Sequence, residues 1–380
     1  MTFLNVEEYR RKARRLLPRF VFDYLDGGSE DEVALKENRR AFEAIKMTPR
    51  LLNNVSVRDQ SVEWFGQRLP MPIVIAPTGL NGLYRRDGDI LLARAASRLG
   101  IPFTLSTASN NSIEDVAKAS NGDLWFQLYV MNRDFADQLV DRALAADFSH
   151  LVLTVDVAMG GKRERDERNN FVMPFRFRPR TIADILCHPR WLWDVGRYGA
   201  PSIANLATDM VTDSNTQAAL LSRKMDASFD WDDLKRLRDR WPRRLLVKGL
   251  LHPDDAKRAI ALGVDAVVVS NHGGRQLDIA PAPIDALPRF SIVNAPIIVD
   301  SGIRRGSDIV KAISLGASAV MIGRAALFGL AVGGEQGVVE VIELLGREID
   351  RTQALLGTRE LVRPTSGAFL PDARGALGAD

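Results

Sequence analysis

Eight short apolar runs, each followed by a segment of helical period, constrain this chain more than anything else in it. They are MPIVIAP (residues 71–77), PFTLST (102–107), LWFQLYV (124–130), HLVLTVD (150–156), RLLVKGL (244–250), AVVVSN (266–271), APIIVDSG (295–302) and AVMIGR (319–324). An apolar run without polar alternation reads as a strand buried on both faces, the mark of a parallel sheet covered by helices. Segments such as DILLARAASRLG, DFADQLVDRALAAD and SDIVKAISLG supply those helices, and several end in Gly, as a left-handed C-cap prefers. Eight strand–helix units close into a (β/α)8 TIM barrel, an α/β fold; a doubly wound open sheet is the alternative.

Two regions fall outside the repeat. Residues 1–70 form an N-terminal extension: an amphipathic helix in MTFLNVEEYRRKARRLLP, then PRFVFDYLDGGSEDE, then a helix through ENRRAFEAI. Residues 157–229 form a long insertion after the fourth strand, where an ordinary barrel needs only a loop and a helix. An excursion of that length in a compact fold is typically functional or mobile. The expected organisation is one domain over 1–380, with the barrel spanning 71–356.

Composition excludes several classes. The content is 46% hydrophobic and 26% charged, ordinary for a soluble protein. The net charge of +3 is spread along the chain instead of forming a tract, which argues against a nucleic-acid partner. A single cysteine, Cys187, excludes an internal disulfide and a thiolate metal cluster, and no metal is expected. The chain has no unbroken apolar run of about 18 residues, and its start lacks the apolar core of a secretory signal. The cytoplasm is the expected compartment.

In a barrel of this class, chemistry gathers where strands end and the following loops begin. Polar residues sit at those ends, strand after strand. They are Thr78 and Gly79, Ser106, Gln127 with Tyr129, Thr154 with Asp156, Lys248, Ser270 with His272, Asp300, and Gly323 with Arg324. Residues two apart on a strand share a face. Taken singly, each has a bland reading: His272 as a satisfied structural residue, Lys248 as a salt-bridged core residue, Asp300 as a helix cap. The Gly273–Gly274 pair could merely supply positive φ. Convergence on one mouth favours a site, because each buried polar group left unpartnered costs roughly 1–3 kcal/mol.

The stretches FDYLDGG, APTGLNG, LSTASN, WFQLYV, LTVDV, KRERD, LVKG, SNHGGRQLD, DSGIRRGSD and IGRA together resemble the FMN-dependent 2-hydroxy acid dehydrogenase and oxidase family across nearly the whole chain. Within that family, APTGLNG, STASN and GDLWFQLYV are most similar to the mandelate dehydrogenases. HPRWLWDVG is more similar to the membrane-associated lactate dehydrogenases. The resemblance implies oxidation of an (S)-2-hydroxy acid, most closely (S)-mandelate to benzoylformate, with L-lactate or another aliphatic acid as the alternative.

It also implies roles. His272 takes the hydroxyl proton, a task suited to an imidazole titrating near neutrality, and Asp156 favours the imidazolium. Arg163 and Arg275 clamp the substrate carboxylate, with Tyr24 and Tyr129 completing the pocket. Lys248 sits near the flavin N1 edge, with Ser106, Gln127, Thr154 and Ser270 around the ring and Pro77, Thr78 and Gly79 on its N5 side. Asp300 holds the ribityl chain, and Gly302, Arg304, Gly323 and Arg324 hold the phosphate. NAD is disfavoured, since GxGxxG is absent.

Two features bear on substrate and acceptor. Gly79 lacks a methyl beside the flavin, which would leave space there and lower oxygen reactivity in favour of a quinone-type acceptor. Within 171–200, Phe171, Phe175, Phe177, Trp191, Trp193 and Tyr198 interleave with Arg176, Arg178, Arg180, Arg190 and Arg197. Aromatics among basic residues suit an anionic membrane interface, so peripheral contact with the inner face of the cell membrane is expected. The resemblance further implies a homotetramer. Rivals from other classes are a Schiff-base aldolase or isomerase using Lys248, and a non-catalytic barrel.

Overall fold

The computed structural model describes residues 3–171, 178–199, 201–206 and 225–361. A small antiparallel hairpin, β1 (Val62–Trp64) and β2 (Gln67–Leu69), precedes the barrel. The barrel strands are β3 (Ile73–Ile75), β4 (Phe103–Ser106), β5 (Leu124–Leu128), β6 (His150–Thr154), β7 (Arg244–Leu250), β8 (Ala266–Val269), β9 (Ile297–Val299) and β10 (Ala319–Ile322). All pair in parallel with their sequence neighbours, and β10 returns to β3, so the sheet is a closed barrel of eight strands. Closure removes the open-sheet alternative.

Alternation within each strand sorts the side chains into two cores. Val74, Trp125, Val152, Leu246, Val268, Ile298 and Met321 point inward and fill the barrel, with Trp64 of the hairpin sealing its floor. The intervening residues, such as Val267, Val269, Leu151 and Leu153, point outward against the helices. The inward stripe turns polar near each strand's carboxyl end: Leu246 is followed two residues on by Lys248, Ile298 by Asp300, and Trp125 by Gln127. The strands therefore run from an apolar floor to a polar mouth.

The extension holds three helices: α1 (Val6–Leu16), α2 (Arg19–Asp26) and α3 (Val33–Ala44). The PRFVFDYLD segment, read from sequence as a link between two helices, is itself helical because Phe20, Val21, Phe22 and Leu25 are all buried. The helix Arg324–Leu356, broken at Gly334 (φ 62°), packs against α1. It is long and apolar enough to cross a bilayer, but 72% of its most apolar window is buried in the fold, so it is a core helix.

Candidate active site

SNHGGRQLD leaves β8 and organises the mouth. Ser270 Oγ accepts from Lys248 Nζ at 2.8 Å and from the His272 amide at 3.0 Å. His272 itself is in the left-handed region (φ 58°), a strained position for a side chain with a Cβ and one frequent at working sites. Gly273 has φ 69°, and an added Cβ would lie 2.7 Å from Arg324 Nη1. Gly274 has φ 72°, and its Cβ would lie 2.5 Å from the Leu35 amide of α3. The two glycines thus admit Arg324 and the extension. Gln276 ties down the loop after β6, donating to the Asp156 and Met159 carbonyls and accepting from the Gly161 amide. Asp278 caps α3 from across the molecule, accepting from the Val33 and Ala34 amides.

A cavity of about 520 Å³ opens at this mouth, within the size range of small-ligand sites (roughly 300–1,000 Å³). Of the residues expected from sequence, Tyr24, Pro77, Thr78, Gly79, Ser106, Tyr129, Arg163, Lys248, His272, Arg275, Asp300, Gly302, Arg304, Gly323 and Arg324 line it. Asp156, Gln127, Thr154 and Ser270 stand behind that wall instead.

The His272 imidazole is held between two partners. Nδ1 lies 2.9 Å from Asp156 Oδ1, and Nε2 lies 3.3 Å from Tyr129 Oη. The ionised Asp156 accepts, so the proton of neutral His272 sits on Nδ1 and the Nε2 lone pair faces the cavity. Burial, aided by Lys248 and Arg163, pushes the His272 pKa below its usual value and outweighs the opposing pull of Asp156. Burial pushes the Asp156 carboxyl up, but His272 and Lys248 prevail and hold it below the usual carboxylate range. Burial likewise pushes Lys248 down, but Asp300, 3.0 Å away, and Asp156 prevail, leaving it above the usual lysine value. A lysine held protonated is a poor amine nucleophile, which argues against the Schiff-base reading.

Four arginines converge. Arg275 donates through Nη1 to the Tyr24 and Gly27 carbonyls, with its guanidinium 5.0 Å over the Tyr24 ring; Nε and Nη2 are used by no described residue. Arg163 Nε reaches the Arg275 carbonyl at 3.4 Å. Arg324 donates to the carbonyls of Leu25, Gly27 and Gly273, latching the extension over the mouth. Desolvation and the neighbouring arginines push Arg324 down to about 9. Desolvation, with Arg39 beside it, pushes Arg304 down to about 10. Positive charge crowded this way is relieved by a bound anion.

These residues fit FMN. Gln127 Nε2, Thr154 Oγ1 and Thr78 Oγ1 are buried without a hydrogen-bond partner among the described residues, as polar groups awaiting a ligand edge would be. The arginines of the β9 and β10 loops supply a cradle for a phosphate.

Two expectations change. A Cβ at Gly79 would lie 3.0 Å from Ala108 Cβ, so the missing methyl lets the Ala108 loop pack close and does not leave open space. In the insertion, Phe171 stacks on Tyr24 (centroids 4.4 Å, 4°) and lines the cavity, and Trp191 is buried, donating to the Leu83 carbonyl. Trp193 stays 67% exposed, and Arg178, Arg180, Arg190 and Arg197 are exposed. Phe175, Arg176 and Phe177 lie outside the described residues, as does the side chain of Tyr198.

Sequence reasoning missed Tyr84, Ile203 and Met225, all of which line the cavity. Burial raises the Tyr84 phenol well above its usual value. Its place in APTGLNGLY, directly after the β3 loop, was the available signal. Ile203 and Met225 carry no periodic signal.

The family description "FMN-dependent dehydrogenase" matches residues 13–367. The chain is 51% identical over 358 residues to (S)-mandelate dehydrogenase of Pseudomonas putida, covering 94% of this chain and 91% of that protein. It is 40% identical to L-lactate dehydrogenase of Pectobacterium atrosepticum, over 96% of each. The fold superposes on a crystal structure of the monotopic membrane protein (S)-mandelate dehydrogenase with a TM-score of 0.94 at 49% identity, covering 97% of this chain and 100% of that one. A mandelate oxidase mutant solved with (S)-mandelic acid gives a TM-score of 0.80 at 33% identity, over 95% of this chain and 96% of that one. The chain belongs to the FMN-dependent dehydrogenase family, with FMN as its cofactor.

Proposed function

We propose that this chain oxidises an (S)-2-hydroxy acid to the 2-oxo acid, with (S)-mandelate as its best substrate and benzoylformate as product. The observation that carries the reading is His272, whose Nε2 lone pair faces the cavity beside Tyr129 while Nδ1 is fixed by Asp156. The substrate hydroxyl proton passes to Nε2, and the Asp156 carboxylate stabilises the imidazolium that forms. The Nε and Nη2 groups of Arg275, with Arg163 beside it, grip the substrate carboxylate, and Tyr24 shapes the pocket under Arg275. FMN, when bound, would supply the acceptor for the hydrogen and the electron pair of the C2–H bond that breaks.

Lys248 gives the flavin site a fixed positive charge, and Gln127, Thr154 and Ser106 give it polar contacts. Pro77, Thr78, Gly79, Asp300, Gly302, Arg304, Gly323 and Arg324 line the same cavity; Asp300 would hold the ribityl chain, and Gly302, Arg304, Gly323 and Arg324 would hold the phosphate. Ser270 acts through Lys248 and His272.

Electrons then pass to a quinone-type acceptor, and the chain works as a homotetramer peripheral to a membrane. The exposed Ile182, Leu186, Leu192 and Trp193 of the helices Pro179–Leu186 and Pro189–Tyr198, set among exposed arginines, support the membrane contact. Support for mandelate over L-lactate is the identity of 51% against 40%.

The test is turnover of the FMN-loaded protein with (S)-mandelate, L-lactate and glycolate, using an artificial electron acceptor. The highest kcat/KM is expected for (S)-mandelate. A preference for L-lactate would move the chain to the lactate branch, and inability to bind FMN would remove the reading altogether.

A further inference from the structure

We infer that the insertion after β6 selects the substrate: Ile203 and Met225 form the wall that meets its C2 substituent, and Asn205 is the positioning residue that holds Ile203 there. The inference rests on the proposed hydroxy acid oxidation. In that reading the arginines take the carboxylate and the His272–Tyr129 pair takes the hydroxyl. Only the C2 substituent remains to be recognised.

Two of the apolar side chains that line the cavity, beside others such as Leu80, Ala108 and Phe171, come from the insertion between its helices and β7. Ile203 and Met225 both belong to the insertion, Ile203 after its helices and Met225 near the point where the chain rejoins the barrel. The residues flanking Ile203 are pinned to the loop after β4. Asn110 Nδ2 donates to the Ser202 carbonyl at 2.6 Å, and the Ala204 amide donates to the Ser109 carbonyl at 3.1 Å.

Asn205 is fully buried and links three elements. Its Nδ2 donates to Ser109 Oγ at 3.0 Å, and its Oδ1 accepts from the Ile113 amide at 3.1 Å and from Arg142 Nη2 at 3.2 Å. Met225 is fastened through its neighbour. The Asp226 amide donates to the Val130 carbonyl at 2.8 Å, and the Asp226 carboxylate accepts from Arg133 Nη1 at 2.6 Å, which ties the backbone next to Met225 to that next to Tyr129. Each fastened point thus delivers one apolar side chain to the cavity. An aromatic or bulky apolar substituent buries surface against this wall, whereas a methyl group leaves much of it unfilled.

The experiment compares kcat/KM for (S)-mandelate and L-lactate in FMN-loaded wild type, Ile203→Ala, Met225→Ala and Asn205→Ala, with flavin absorbance counting loaded protein. A single methylene in a hydrophobic pocket shifts discrimination by roughly tenfold or more. The mandelate-to-lactate ratio is expected to fall about tenfold in Ile203→Ala and in the same direction in Asn205→Ala, through KM for mandelate and not kcat. An unchanged ratio, or equal losses for both acids, overturns the inference. Binding of phenylacetate and acetate, followed by perturbation of the flavin spectrum, separates this from failure of the oxidation reading. If the loaded wild type turns over neither acid, that reading fails, yet the wall still requires phenylacetate to bind more tightly than acetate and Ile203→Ala to erase the difference.

Discussion

His272 occupies a backbone conformation that disfavours its own Cβ, and the structure holds it there through the Ser270 hydroxyl on its amide and Asp156 on its ring. Its pKa lies below the ordinary value because burial outweighs Asp156. A base works in its neutral form, so kcat/KM should rise with pH through a limb below the ordinary histidine value of about 6.5 and be level above it. Asp156→Asn removes the influence that raises the pKa, so the limb should move to still lower pH while the plateau drops roughly 10²–10⁴-fold. A pH–rate series on both proteins checks this, and a limb above the ordinary value would contradict it. Arg304 gives a second test. Its lowered pKa means the ligand-free fold tolerates the charge poorly, whereas an anion welcomes it. Arg304→Met should raise the Kd for FMN about 10–100-fold, the equivalent of roughly 1.5–3 kcal/mol for a charge-assisted bond. The Tm of the flavin-free protein should not fall, and calorimetry with flavin titration reads both. His272, Asp156 and Lys248 were legible in sequence because strand alternation set them at strand ends, and Arg275 because SNHGGRQLD carries the family resemblance. The purpose of Gly273 and Gly274 was not legible, since what they make room for, Arg324 and Leu35, lies elsewhere in the chain.

At the scale of elements, the strands carry their own polarity, with aromatic packing at the floor and titratable groups at the mouth. β6 shows the floor. His150 stacks on Trp125 at 4.3 Å, its Nε2 accepts from Trp64 Nε1 at 3.2 Å, and its Nδ1 lies 2.7 Å from Ser149 Oγ. Acceptance from an indole fixes Nε2 as unprotonated, and burial pushes the pKa down to about 4. The folded value is below the unfolded one, so His150 contributes stability that is complete above about pH 6.5 and is lost as pH falls toward 4. At roughly 1.4 kcal/mol per unit the loss is about 3 kcal/mol. Denaturant unfolding from pH 7 to pH 4 should show that decline, and His150→Gln should flatten it. The eight strands could be read from the sequence because buried parallel strands are short, apolar and evenly interrupted. The insertion could not be read as a pocket wall. Its helices obey their own apolar period, and nothing in that period tells that Ile203, Met225 and Phe171 turn back toward the barrel.

Over the whole molecule, the insertion has two faces. One finishes the cavity; the other exposes Leu186 (64%) and Trp193 (67%). If that outer face meets a membrane, Leu186→Glu with Trp193→Glu should lower partitioning onto anionic vesicles several-fold while turnover with a soluble acceptor persists. Co-sedimentation checks it, and unchanged partitioning would remove the membrane role from these helices. The latch over the mouth carries a different implication. Arg275 and Arg324 reach carbonyls of α2 and its C-cap that precede them by 248 to 299 residues. On the ribosome, those carbonyls emerge well before the guanidinium groups that tie them down, so the latch over the rim forms only after Arg324 has emerged. Nascent chains halted before Arg324 would be expected to present an open, protease-sensitive extension, and cofactor loading would wait for that arginine.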